Sequence, residues 1–270
     1  MNHHRHPQAA LVASLALVLS VSACSDAPTG PGRSTSAMPR GADPVEIDPT
    51  TFTPASDNRY FPLVPGTRWT FREVGVDGSR PQVRVTVTSR TRRIADGVTA
   101  RVVRDTVTED GEVTEDTFDW YAQDDGGSVW YFGEDTAEFE DGAVTTREGS
   151  FEAGVDEALP GIIMPAHPEA GQSYRQELYA GHAEDNGAVL AEHQQVESPQ
   201  GWYDDAVLTA DTSAPEPRVL EYKLYAPDVG LVLTLDASGG SAREELLTME
   251  TVTDAAARAA GTAPLGTPYP

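Results

Sequence analysis

Apolar and polar residues alternate with a period of two through the middle of the chain. Val83, Val85 and Val87 are interleaved with Arg84, Thr86 and Thr88, and Phe118, Trp120 and Ala122 with Asp119, Tyr121 and Gln123. A period of two sends successive side chains to opposite faces of a β-strand. Asp-Gly pairs punctuate this pattern at Asp77-Gly78, Asp96-Gly97, Asp110-Gly111, Asp125-Gly126 and Asp141-Gly142, with spacings of 19, 14, 15 and 16 residues. Asp-Gly suits the two-residue hairpin turn, whose central residues both take positive φ. The spacings leave room for strands between the turns. Consecutive hairpins make an antiparallel meander, and a long meander curls or closes to protect its edges.

The pattern therefore predicts an all-β fold: an up-and-down meander forming a barrel or a strongly curved sheet, with at most one or two short helices. Further strands are expected over Gly171–Tyr179, Val219–Tyr225, Gly230–Leu235 and Glu244–Val252. Glu184–Glu192 reads as one short helix, with Gly187 arguing against a longer one. Pro160–Pro165 is an apolar stretch bracketed by prolines and reads as a loop, a plug or lid. Trp69 and Tyr174 are assigned to the core.

The two ends differ in composition from the middle. Residues 1–23 hold a short basic start and a run of mostly apolar residues from Ala9 to Val21, too short for a stable membrane anchor and suited to a secretory signal. The run ends in Val21-Ser22-Ala23-Cys24, which resembles the lipobox of bacterial lipoproteins; that resemblance implies lipidation of Cys24 once residues 1–23 are removed. Cys24 is the chain's one cysteine, so the domain is held together without disulfides. Residues 24–58, rich in Pro, Thr, Ser and Gly, read as a flexible tether, and residues 253–270 as a disordered tail. Residues 59–252 remain as one β domain. Ser25 after the cysteine implies, by the same resemblance, the outer membrane in a cell with two membranes.

The net charge is −24, from 43 acidic against 19 basic residues. Such a field repels phosphate backbones and excludes nucleic acid as a partner. Attachment to a membrane is then expected through the acyl chains rather than through the domain surface.

Four strings carry a second resemblance: Tyr60-Phe61-Pro62-Leu63-Val64-Pro65-Gly66-Thr67-Arg68-Trp69, Asp119-Trp120-Tyr121-Ala122-Gln123-Asp124, Val129-Trp130-Tyr131-Phe132-Gly133-Glu134 and Tyr225-Ala226-Pro227-Asp228-Val229-Gly230-Leu231-Val232. They resemble a family of bacterial secreted or lipid-anchored β-rich proteins of unassigned function. The resemblance implies a single exported β domain and transfers no catalytic motif.

Candidate chemistry follows from the hairpin at Asp125-Gly126. If these two residues form the turn, Gln123 faces Ser128, Tyr121 faces Trp130, Asp119 faces Phe132 and Thr117 faces Glu134. One face is then apolar and belongs to the core. The other gathers Asp119, Tyr121, Trp130, Phe132 and Glu134, carboxylates beside an aromatic platform, as a site for a sugar, a cation or an apolar ligand requires. A slip of one residue exchanges the two faces. A second candidate is a divalent-metal site from His182, Glu184, Asp185 and His193, since imidazole and carboxylate suit zinc or a similar ion. No Gly-x-Ser-x-Gly elbow, Walker loop or dinucleotide fingerprint is present in the sequence. The reading is an exported, lipid-anchored protein of the cell envelope whose β domain binds a small molecule or an envelope protein without catalysis. The alternative is a cell-surface hydrolase, either metal-dependent or carboxylate-based.

Overall fold

The computed structural model describes residues 38–75, 78–240 and 242–270. The expected signal segment 1–23, the expected lipidation residue Cys24, the first part of the expected tether, Val76, Asp77 and Ser241 lie outside the described residues.

A short meander of long strands forms the first half of the sheet: β2 (Thr67–Val74), β3 (Gln82–Arg93), β4 (Thr99–Glu109), β5 (Glu112–Asp124) and β6 (Val129–Glu140). Ahead of them, β1 (Phe52–Thr53) pairs with the end of β5. Three short strands follow on the far side, β7 (Ala143–Thr146), β8 (Phe151–Glu152) and β9 (Leu159–Met164), each paired with β6. The second half is another meander: β12 (Asp185–Ser198), β13 (Gly201–Ser213), β14 (Leu220–Ala226), β15 (Gly230–Ser238) and β16 (Arg243–Thr251). β16 lies antiparallel against β2, so the two meanders join through the domain's first and last long strands.

The result is the expected all-β architecture, a nearly closed antiparallel barrel. Closure is done by one stretch of chain. β10 (Ser173–Arg175) pairs with β12, and β11 (Glu177–Leu178), one residue further, pairs with β9. Gln176 between them donates its N–H to the Asp185 carbonyl at 2.8 Å. A single segment thus switches partners and spans the seam, which leaves little unpaired edge.

The Asp-Gly turns obey the sequence logic where both central residues take positive φ: Asp110 and Gly111 at 51° and 88°, Asp141 and Gly142 at 49° and 74°. Four other expectations change. Asp185–Glu192 lies in β12, not in a helix: it is paired with β10 on one side and β13 on the other, and Gly187 sits where a Cβ would come 2.5 Å from the Tyr174 ring. A glycine that permits close approach marks a strand here. Pro160–Met164 lies in β9, with Ile162 and Met164 buried, so this apolar stretch is wall, not lid.

The C-terminal stretch is ordered. Thr253 caps α1 (Asp254–Ala260), accepting a hydrogen bond from the Ala256 N–H, and the chain then lies across the outer face of the sheet. Arg104, fully buried, is paired with Asp116 and donates to the carbonyls of Ala260 at 3.1 Å and Ala263 at 3.0 Å. The Gly266 N–H donates to Asp116 Oδ2 at 2.8 Å, and Tyr269 stacks over Arg104 with its hydroxyl 2.9 Å from Thr106 Oγ1. The described part of the tether is ordered too. Arg175 donates to the carbonyls of Gly41 and Asp43, and Phe52 packs edge-on against Trp130 and Phe132. Both arms contribute to a second core on the sheet's outer face, with Phe118, Trp120, Trp130 and Phe132 covered by Met38, Val45, Ile47, Phe52 and Leu265. Low hydrophobicity made these arms look unstructured; hydrogen bonds to two buried arginines hold them instead.

Candidate ligand cavity

Alternation along β2 to β5 brings inward-pointing residues into register. Trp69 pairs with Val85, Val85 with Asp105, and Val103 with Asp119. With Phe71, Val83 and Tyr121 these residues form one wall of a cavity of about 250 Å³ inside the barrel. Lys223 and Tyr225 of β14, Leu231 of β15, Glu244 of β16 and Ile163 of β9 form the opposite wall, and Phe61, Pro62 and Leu63 cover one side. Trp69 is fixed by donating its indole N–H to the Val229 carbonyl at 2.7 Å. Phe61 packs between Tyr121 and Tyr225, with ring centroids 5.2 and 6.5 Å away. The walls are mainly aromatic and aliphatic, with a few convergent polar groups, the usual make-up of a small-molecule site.

Those polar groups are mostly acidic. Asp105, Asp119 and Glu244 face one cavity, and Lys223, the chain's one lysine, is committed elsewhere. Its Nζ lies 2.8 Å from Asp211 Oδ2 and 3.1 Å from Glu221 Oε2. Burial favours the neutral lysine, but Asp211, Tyr225 and Glu221 outweigh it and keep the ammonium charged. Burial pushes the Asp119 carboxyl up to about 7, Glu244 to about 7 and Glu177 to about 8. Asp105 is held well above the usual carboxylate range by burial and by the neighbouring charges of Asp119 and Glu244. Its Oδ1 is shielded from solvent and has no hydrogen-bond partner among the described residues.

Beside the cavity, Tyr131 stacks on Tyr121 at 4.9 Å and stands between two carboxyls. Its hydroxyl oxygen is 2.9 Å from Asp119 Oδ1 and 3.0 Å from Glu134 Oε2. A phenol has one proton to donate. The second contact becomes a hydrogen bond when one of the two acids is protonated and donates to the phenol oxygen. Burial drives Glu134, like Asp119, upward.

Of the residues expected at the aromatic face, the structure brings Asp119, Tyr121 and Glu134 together and separates Trp130 and Phe132 from them. The correction is one of register. Gln123 pairs with Val129, Ala122 with Trp130, and Tyr121 with Tyr131, one residue away from the expected pairing. The turn takes three residues, Asp125 to Gly127, with the positive φ at Gly127. Trp130 and Phe132 therefore point to the outer core, and Tyr131 takes the inner place. A bulge at Gly133, φ 123°, then adds one more residue and returns Glu134 to the inner face opposite Asp119. Gly127, a second glycine after the Asp-Gly pair, was the signal for the longer turn.

Sequence reasoning missed Asp105, Tyr131, Lys223, Tyr225 and Glu244. Asp105 was readable as an acid in phase with Val103 and Val107, and Lys223 as the unique lysine in a strand-like Glu221-Tyr222-Lys223-Leu224-Tyr225 run. Only closure shows that they meet.

The proposed metal ligands are not brought together. His182 stacks on Tyr179 in a turn, Glu184 accepts the Gly181 N–H, and Asp185 opens β12. His193 is eight residues along that strand and holds Asp205 at 2.5 Å. Among the described residues no three His, Cys, Asp or Glu side chains are grouped to hold a metal ion.

No family model matches the chain, and no curated protein matches it. A crystal structure described as a "putative lipoprotein" from Parabacteroides distasonis ATCC 8503 is similar at 12% identity and a TM-score of 0.40, over 72% of this chain and 99% of that one. A likeness of that size carries neither fold nor function from one chain to the other.

Proposed function

We propose that this chain is a lipid-anchored protein of the cell envelope that binds a small, largely apolar molecule inside its barrel, without catalysis. The observation that carries the reading is the cavity of about 250 Å³, lined by Trp69, Phe71, Val83, Tyr121, Tyr225 and Leu231. A preformed apolar space of this kind takes an apolar ligand at little reorganisation cost. Attachment rests on Cys24 behind its apolar run, and localisation on the same residue. The binding test uses the full chain carrying Cys24→Ser, titrated with 2-phenylethanol and 2-phenylethylamine. Binding to the folded state raises the thermal midpoint by mass action, and a fluorescence change that Trp69→Phe removes, the other three tryptophans remaining, reports occupancy. Val103→Phe, which fills the cavity, removes the response. No response from the unmodified cavity to either probe overturns the reading. Anchoring is tested by acyl labelling of the exported protein, which Cys24→Ser abolishes.

A further inference from the structure

We infer that the cavity is built for an organic cation, an ammonium carried on an apolar body, with the ammonium against Asp105 and within the field of Asp119 and Glu244. The inference rests on the binding reading above and assigns its ligand a chemical class.

Three observations carry it. The first is an imbalance of charge. Three carboxyls open on one cavity, and the lysine in its wall already has two acidic partners, at 2.8 and 3.1 Å. The second is the state of Asp105. Its side chain is half-buried, with Oδ1 shut off from solvent and unpartnered among the described residues, and buried polar atoms are rarely left in that condition. A neutral hydrocarbon leaves it so, an anion makes the repulsion worse, and an ammonium supplies both the missing donor and the missing charge. The third is the aromatic surround. Trp69, Tyr121 and Tyr225 line the same space as the acids, and ring faces attract a cation that has been stripped of water.

The competing ligand classes fit less well. A sugar needs a dense set of paired donors and acceptors, whereas this wall is mainly hydrocarbon. A bare metal ion needs several ligands converging on one point, and no such group occurs among the described residues.

The experiment compares 2-phenylethylamine, 2-phenylethanol and phenylacetate by titration calorimetry on the full Cys24→Ser chain. At pH 8 the amine is protonated while Asp119 and Glu244, at about 7, are mainly ionised. The amine is expected to bind at least about tenfold tighter than the alcohol, a difference of about 1.4 kcal/mol, and phenylacetate not to bind. Asp105→Asn and Glu244→Gln are each expected to bring the amine's affinity close to that of the alcohol measured on the same variant, and a cooperative thermal transition of each variant shows that it is folded. Equal binding of amine and alcohol, or an advantage that survives both substitutions, overturns the cation assignment while the cavity reading stands. Failure of both probes to bind overturns both.

Discussion

Arg104 and Asp105 are neighbours in β4 and point to opposite sides of the same sheet, and their surroundings could hardly differ more. On the outer side Arg104 is buried against Asp116, and carbonyls from the C-terminal arm take its remaining N–H groups. On the inner side Asp105 is half-buried beside two more acids, its Oδ1 shut off from solvent and without a partner among the described residues. Taking either group away from water is costly for its charged form. Only the outer one is offset within the chain. The lesson is that the outer network serves the fold, whereas the inner acids lower stability and so call for an explanation outside it. A ligand that completes them provides one.

This contrast can be broken most severely on the outer side. Arg104→Met leaves Asp116 buried without its partner and frees the C-terminal arm; a loss of about 3–5 kcal/mol is expected, read by urea denaturation. Gly133→Ala comes next. Its Cβ would lie 2.2 Å from the Phe151 carbonyl oxygen at a φ of 123°, so the bulge that aligns Glu134 with Asp119 is strained. A cost of about 1–3 kcal/mol is expected by the same measurement.

Stability against pH sharpens the comparison from the inner side. Asp119, Glu177 and Glu244 have folded-state values above their unfolded ones, so the native state holds more protons than the unfolded chain. Their contribution is fully present below about pH 4, where both states are protonated, and is lost as pH rises through 7 to 8. The midpoint is expected to fall by about 5 °C or more between pH 5 and pH 8.5 in calorimetry. Asp105→Asn has the smallest effect and the opposite sign to Arg104→Met. Removing an acid that burial disfavours raises stability by about 1 kcal/mol at pH 8 and flattens that pH slope.

The barrel was legible because its evidence is local. A period of two in Val83–Thr88 and Phe118–Gln123, and Asp-Gly turns at 110–111 and 141–142, each depend on a few adjacent residues. The site was half legible. Asp119, Tyr121 and Glu134 were found because they cluster in one hairpin, while Trp130 and Phe132 were misplaced because one extra residue in a turn reverses every side chain after it. The arms at 38–53 and 254–270 were misread for a different reason: composition reports how much apolar surface a segment can bury and is silent on the carbonyls it offers to a distant buried arginine.

By itself, then, the chain's alternation and turn chemistry determined an antiparallel β meander, while its acid excess and its first residues carried only expectations, of a partner other than nucleic acid and of export with a lipid anchor. Which residues meet was decided by tertiary structure alone. Asp105, Asp119, Lys223 and Glu244 are as much as 139 positions apart in the chain, and no local rule relates them. They share a cavity because β16 closes on β2 and the Ser173–Leu178 segment bridges the seam, contacts that depend on global packing rather than on any neighbour in sequence.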